Sequence, residues 1–336
     1  MTENPSLTQN LLIYPANAFV VTDGVADGDA VSFADELVMD DVYQLTPGAR
    51  RGRLGLSVGA VETDGDAAGF TVAAGSDVGR EGNVLHLDCC LTLMAPDGTT
   101  FEALVLVEVE DAAVADIYLL PLATLVPRTD YRLVGVDRHA ATTRFAEVAC
   151  VSFTRGTLIT MASGQQVPID RLKVGDRVLT RDDGPQAIRW IGQTTLRAAG
   201  AFAPVMIRKG ALHNENDLIV SPDHRIFVYQ RQDHLGAGRA EVLVKVRHLI
   251  NGDSVIQLDG GFVEYFQLLF DDHQIIYAEG IAAESLLIDP RTRPAMPDKL
   301  GATRHSYRPH LAYEVQENLL SGADAVTLLR RASGSD

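Results

Sequence analysis

Short apolar stretches bounded by turn-forming residues recur through the first half of the chain, and this punctuation limits the folds open to it. Ala18–Thr22, Leu54–Val58, Phe70–Ala73, Val84–Asp88 and Ala103–Val109 are such stretches, and Pro47-Gly48, Thr63–Gly65 and Pro96–Gly98 are turn clusters between them. Gly and Pro end regular elements and Asp closes tight turns, so segments this short at this spacing predict an antiparallel sandwich or barrel from Leu11 to about Glu147. No apolar run approaches the roughly 18 residues that a membrane span needs. Met1–Asn10 is polar without a basic start, so no secretory signal peptide is expected. The localisation is otherwise open, and the chain reads as soluble.

At 336 residues the chain is long enough for two domains of ordinary size, each with its own core. Hydrophobic residues make up 46% and charged residues 22%, the balance of a globular chain and not of a disordered one. Charge divides the sequence near residue 150. The first 150 residues hold eight arginines, no lysine and 23 acidic residues, whereas the remainder holds 21 basic and 22 acidic residues. Nearly all of the formal net charge of −16 therefore sits in the first half. An acidic half repels phosphate backbones, which argues against nucleic acid as its partner.

Three cysteines, the neighbours Cys89 and Cys90 and the separate Cys150, form neither a disulfide framework nor a paired metal motif. Nothing here requires an oxidising compartment. One member of an adjacent strand pair is expected to point inward, as free cysteine commonly does. His86, between Leu85 and Leu87, reads as a strand residue facing solvent or a neighbour. No motif in this half carries chemistry.

The second half is richer. It begins with Cys150 and Ser152-Phe153, continuing to Ile159, and follows with Val167–Thr180, which contains Gly175-Asp176-Arg177. Then come Ala187–Gly192, Asp217–Val228 with Ser-Pro-Asp-His at 221–224, and Val263–Gly280. In this order and spacing the blocks resemble a Hint domain, the self-processing module of hedgehog proteins and inteins, in the form common as stand-alone bacterial proteins. The resemblance implies an all-β Hint fold over 150–290. Together with the strand and turn pattern before it and the composition after it, the chain reads as mainly β: an N-terminal acidic β-sandwich or barrel-like domain over 1–149, the Hint fold, and a Pro/Arg-rich linker with a short C-terminal helical extension over 291–336. Within the last part, Val315, Leu319, Ala323, Val326 and Leu329 fall near helical spacing, interrupted by Gly322.

The resemblance also implies a reaction on the chain itself, without cofactor, in which the first residue of the domain attacks the carbonyl of the preceding peptide bond. Such a shift turns an amide into an ester or thioester that cleaves more easily. It implies His224 as proton donor for the departing nitrogen and Ser221 as the hydroxyl that holds the scissile peptide. The attacking position falls on Ser152, directly before Phe153, with Cys150 two residues early as a fallback. Serine in place of the family's cysteine weakens the nucleophile, since a hydroxyl is a far weaker acid than a thiol of pKa about 8.5. The acceptor that finally opens the ester, water or a small molecule, is not specified.

At the far end Glu284 and Ser285 stand where inteins carry the asparagine that cyclises, so C-terminal cleavage and splicing are not expected. Gln193 stands near the position of the aspartate that activates a sterol in hedgehog proteins, so sterol transfer is not expected either. His273 reads as a residue that assists the site or as a solvent-facing strand-edge residue. The pairs Asp182-Asp183 and Asp271-Asp272 read as turn carboxylates, and no metal is expected. The expected function is autoprocessing with release of the N-terminal part; the alternative is a non-catalytic Hint scaffold within a binding or structural protein.

Overall fold

The computed structural model describes residues 8–58, 70–230, 233, 237–289, 291–295, 315 and 325–333. The turn cluster Thr63–Gly65 and most of the C-terminal helical region lie outside them. The chain divides into two compact units, Met1–Val148 with Asp289–Pro297, and Ala149–Ile288 with Asp298–Asp336.

In the first unit a six-stranded ring closes on itself. It runs Val84–Met94, Phe70–Val72, Gly52–Val58, Thr8–Pro15, Ala113–Pro121, Thr100–Glu110 and back to Val84–Met94. Beyond the short Phe70–Val72, the far half of Val84–Met94 pairs instead with Tyr131–Asp137, which carries the sheet on through Val42–Leu45 to Phe19–Asp23. Closure removes most free sheet edges, which protects strands this apolar from pairing with other chains. Alternation is plain in the first strand, where Leu11 and Ile13 are buried while Leu12 is half exposed. Of the two readings of His86 the structure shows the solvent-facing one, since the residue is exposed.

Two expectations for this half need correction. It is not purely β, because Ala140–Ala149 is an α-helix. Asp137 caps it, its carboxylate accepting from the backbone N–H groups of His139 and Ala140, and Arg144 pairs with Glu147 one turn on. Cys89 and Cys90 are both buried, not one of the two. The helix accounts for this as well: fully buried Phe145 meets Phe70 at 5.3 Å between ring centroids, and the charges of Arg144 and Glu147 act on the Cys90 thiol. A second face of the sheet is thus covered, and burial, with Glu102 adding to it, pushes the Cys90 thiol up to about 12.

The second unit contains two six-stranded antiparallel sheets. One runs Trp190–Arg197, Phe262–Leu269, Phe153–Thr154, Leu218–Val220, Val205–Ile207, Val255–Gln257; the other runs Gln166–Pro168, Leu158–Thr160, Ile275–Ala278, Ile281–Glu284, Arg225–Tyr229, Glu241–Lys245. A hairpin of Arg177–Leu179 with Pro185–Ala187 stands beside them. Phe153, Val220, Ile226, Val244 and Ile276 belong to one buried core, joined by Val326 and Leu329 of the helix Ala325–Ser333. Val315 is buried there too, its N–H donating to the Leu243 carbonyl.

The motif glycines have local reasons. Gly156 has φ of 83° and Gly175 of 95°, a region that side chains resist. Asp176 closes the second turn by accepting from the Lys173 N–H at 2.8 Å. At the first, Asp170 accepts from Gly156 N–H and the Thr157 hydroxyl donates to the Thr154 carbonyl. These contacts fix the chain just after Ser152.

Candidate functional site

Register builds the site. Phe153 pairs with Val220 on one side and with Phe266 on the other. One residue further along each antiparallel pair, Ser152 comes opposite Ser221 and opposite Gln267. The pairing is seen in hydrogen bonds: the Ser152 N–H donates to Ser221 Oγ at 3.0 Å, the Ser221 N–H donates to the Ser152 carbonyl at 2.9 Å, and Gln267 Nε2 donates to Ser152 Oγ at 2.9 Å. Pro222 and Asp223 then form a turn, closed by the His224 N–H on the Ser221 carbonyl, that swings His224 back over Ser152. His224 Nδ1 stands 3.2 Å from the Ser152 carbonyl oxygen, and the Phe153 and His224 rings meet edge-on at 4.4 Å.

Of the residues singled out in the sequence, Ser152, Ser221 and His224 therefore meet, although 69 and 72 positions separate the pairs along the chain. Ser221, not His224, touches the backbone nitrogen of Ser152. With His224 bonded to the carbonyl of the same residue, standard backbone dimensions put its Nδ1 within about 7 Å of that nitrogen. Cys150 is buried at the end of the helix Ala140–Ala149, and its carbonyl oxygen accepts from the Ser152 hydroxyl at 3.4 Å. Gln267 carried no signal within its own block; only the register across sheet partners reveals it.

Electrostatics at the site favour neutral His224. Complete burial lowers its pKa to about 4, and the opposing pull of the Glu284 charge and of the Ser152 and Glu284 backbone does not offset that. Since Nδ1 faces a carbonyl, the neutral ring carries its proton there, and Nε2 makes no hydrogen bond of normal geometry among the described residues.

Behind His224 lies a buried charged group. Glu284 accepts from the Arg225 backbone N–H and from Arg225 Nη1, both at 3.1 Å, and His273 Nε2 stands 3.5 Å away, at the limit of hydrogen-bond reach. Burial alone would raise the Glu284 pKa, but the Arg225 charge and His273 outweigh it and hold it at about 2. Asp223, equally buried, is held below its ordinary range by Arg247, Lys245 and Arg225. His273 is not the solvent-facing residue that its place near a strand end suggested: it is 3% exposed, drawn inward by the Glu284 carboxylate. Ser285 is buried, with its hydroxyl accepting from the Gln274 N–H. Gln193 is exposed and donates to Glu264. Asp271 pairs with Arg189 at the surface.

These shifts set the acid stability of the unit. His224 binds its proton at about pH 4 when folded and about 6.5 when unfolded, so its contribution is complete above pH 6.5 and is lost as the pH falls toward 4. Glu284 acts in the same direction, from about pH 4.5 down to 2. The chain has one tryptophan, Trp190, and it lies in this unit. Urea unfolding followed by Trp190 fluorescence should show a loss of about 3 kcal/mol between pH 7 and pH 4, and His224→Gln should flatten that slope. An unchanged midpoint at pH 4 would contradict the buried neutral imidazole.

Among the described residues no group of His, Cys, Asp and Glu is placed to hold a metal ion, and no helix is long and apolar enough to cross a membrane. Residues 151–290 match the sequence pattern of the Hint domain family, a span that starts one residue before Ser152 and contains Ser221, His224 and Gln267.

This part of the chain is a Hint domain.

Among solved structures, the Hint domain is similar to a variant of the Ssp DnaB mini-intein, with 12% identity and a TM-score of 0.29 over 41% of this chain and 96% of the intein. It is also similar to the gp41-1 intein, with 13% identity and a TM-score of 0.25 over 40% of this chain and 97% of that one. No curated protein matches the sequence.

Proposed function

We propose that the Hint domain is an autoprocessing module acting on the bond between Val151 and Ser152. In the proposed step the Ser152 Oγ bonds to the Val151 carbonyl carbon and that carbon's bond to the Ser152 nitrogen breaks. The hydroxyl proton is balanced by the proton gained at nitrogen. Water or another nucleophile then opens the ester, separating residues 1–151 from 152–336. One observation carries this reading. The N–H, hydroxyl and carbonyl of Ser152 are each held by a different side chain, Ser221, Gln267 and His224, at the residue where the family's motif set begins. Holding residue 152 at three points fixes its hydroxyl and the departing nitrogen.

A second reading, a non-catalytic scaffold, is favoured by a different observation. The Ser152 hydroxyl accepts from an amide and donates to a carbonyl, and neither partner removes a proton. His224 is uncharged near neutrality and so is a poor acid for the leaving nitrogen. Intact mass after incubation with hydroxylamine, which opens esters, separates the two. We expect a largely intact 336-residue chain with slow scission only before Ser152, accelerated by hydroxylamine, and none near Ser285. A fragment beginning at Cys150 would move the nucleophile to that thiol. No scission in the wild type or in Ser152→Cys would leave the scaffold reading.

A further inference from the structure

We infer that the C-terminal segment formed by Val315 and the helix Ala325–Ser333 is a positioning element of the processing site, which it reaches through the two strands that carry the Ser221–His224 turn. The inference rests on the autoprocessing reading. The segment lies beyond residues 151–290, the span that matches the Hint family, yet its side chains are part of the Hint core. Val326 and Leu329 are 4% and 0% exposed and share one buried cluster with Ile226 and Val228 of Arg225–Tyr229 and with Val242 and Val244 of Glu241–Lys245. Val315 adds a backbone contact: its N–H donates at 3.0 Å to the carbonyl of Leu243, on the strand that ends that sheet. His213 Nε2 donates to the Arg330 carbonyl at 3.3 Å, which satisfies one of the carbonyls that the end of a helix leaves without an internal partner.

These two strands hold the turn. Their pairing runs from Tyr229 opposite Glu241 to Arg225 opposite Lys245, and just past its end the Val246 N–H donates to the His224 carbonyl and the Arg247 N–H to the Pro222 carbonyl, both at 2.9 Å. Ser221 and His224, at the two ends of the turn, are the side chains that hold the Ser152 nitrogen and carbonyl. A shift of the strand pair therefore moves both groups relative to the scissile bond, and a misplacement of about 1 Å costs about a hundredfold in rate. Without the helix the apolar face of the pair meets water and the pair is free to shift, although no residue of the site has changed.

The test is made in the full-length Ser152→Cys chain, with cleavage before residue 152 followed by intact mass and the fold of the same samples followed by Trp190 fluorescence. Leu329→Ala, which leaves a cavity where the helix meets the strands, should slow cleavage about a hundredfold in chains that remain folded. Leu329→Met, which refills the space, should restore the parental rate. A role in stability alone has a different outcome: folded Leu329→Ala chains would cleave at the parental rate, and that result overturns the inference. Leu329→Met as slow as Leu329→Ala would overturn it too, because filling the space would then not matter. Should Leu329→Ala not fold, the milder Val326→Ala is read in the same way, with a loss of at least about tenfold expected. If the Ser152→Cys parent cleaves and the folded variants match it, the inference fails alone. If the parent does not cleave, the autoprocessing reading fails and takes the inference with it.

Discussion

Ser152→Cys is expected to convert a chain that persists intact into one that cuts itself before residue 152, at a rate more than a hundredfold above wild type. A thiol of pKa about 8.5 supplies thiolate near neutrality and needs no base, whereas the serine hydroxyl faces only the Gln267 amide and the Cys150 carbonyl. A difference of about 3 kcal/mol in nucleophile activation already exceeds a hundredfold in rate. The N–H to Ser221 and the carbonyl contact to His224 lie on the backbone of residue 152 and survive the exchange. His224→Ala in the cysteine background should slow cleavage again by removing the imidazole that holds the carbonyl of residue 152. Equally rapid scission with and without His224 would mean that this site does not make the cut.

The second large effect concerns stability. Glu284→Ala should destabilise the Hint domain by about 3–5 kcal/mol, the usual outcome of removing one member of a buried ion pair. Arg225 is 5% exposed at its side chain, and without Glu284 its guanidinium loses two contacts, at 3.1 and 3.3 Å, while its backbone N–H loses a third. Trp190 fluorescence during urea unfolding reads the loss. Arg225→Met added to Glu284→Ala should recover part of it by removing the stranded charge. A loss of under about 1 kcal/mol for Glu284→Ala would show that the pair is solvated.

Much of this architecture is legible in the sequence, and for identifiable reasons. Short alternating stretches with turn residues between them are a local signal, so the β character of both halves is accessible, and Ser221 and His224 are found because they lie within one ordered motif. Gln267 is not, because its meeting with Ser152 follows from a sheet register that joins residues 115 apart. The burial of His273, which removes the solvent-facing one of its two readings, is hidden for a related reason: Glu284 lies on a different segment, and no local pattern carries that pull. The helix Ala140–Ala149 did have a local signal. Asp137 as a cap, an alanine-rich start and the Arg144–Glu147 spacing all precede the family's motif set, and they lose out only against the strand rhythm of the 130 residues before them. The double burial of Cys89 and Cys90 is a consequence of that helix and was unreadable without it.

The division of the chain has a consequence for what a cut before Ser152 would achieve. The first unit takes residues from both sides of that bond, Met1–Val148 and Asp289–Pro297, and in the returning segment Asp289, Arg291 and Thr292 are buried. Scission would therefore nick the protein without parting it: two pieces under denaturing conditions, and one particle by gel filtration until the returning strap lets go. The fragment bearing the new N-terminal residue would keep a hold on the unit it had just been severed from, so that separation would need release of that strap as well as the chemistry at residue 152.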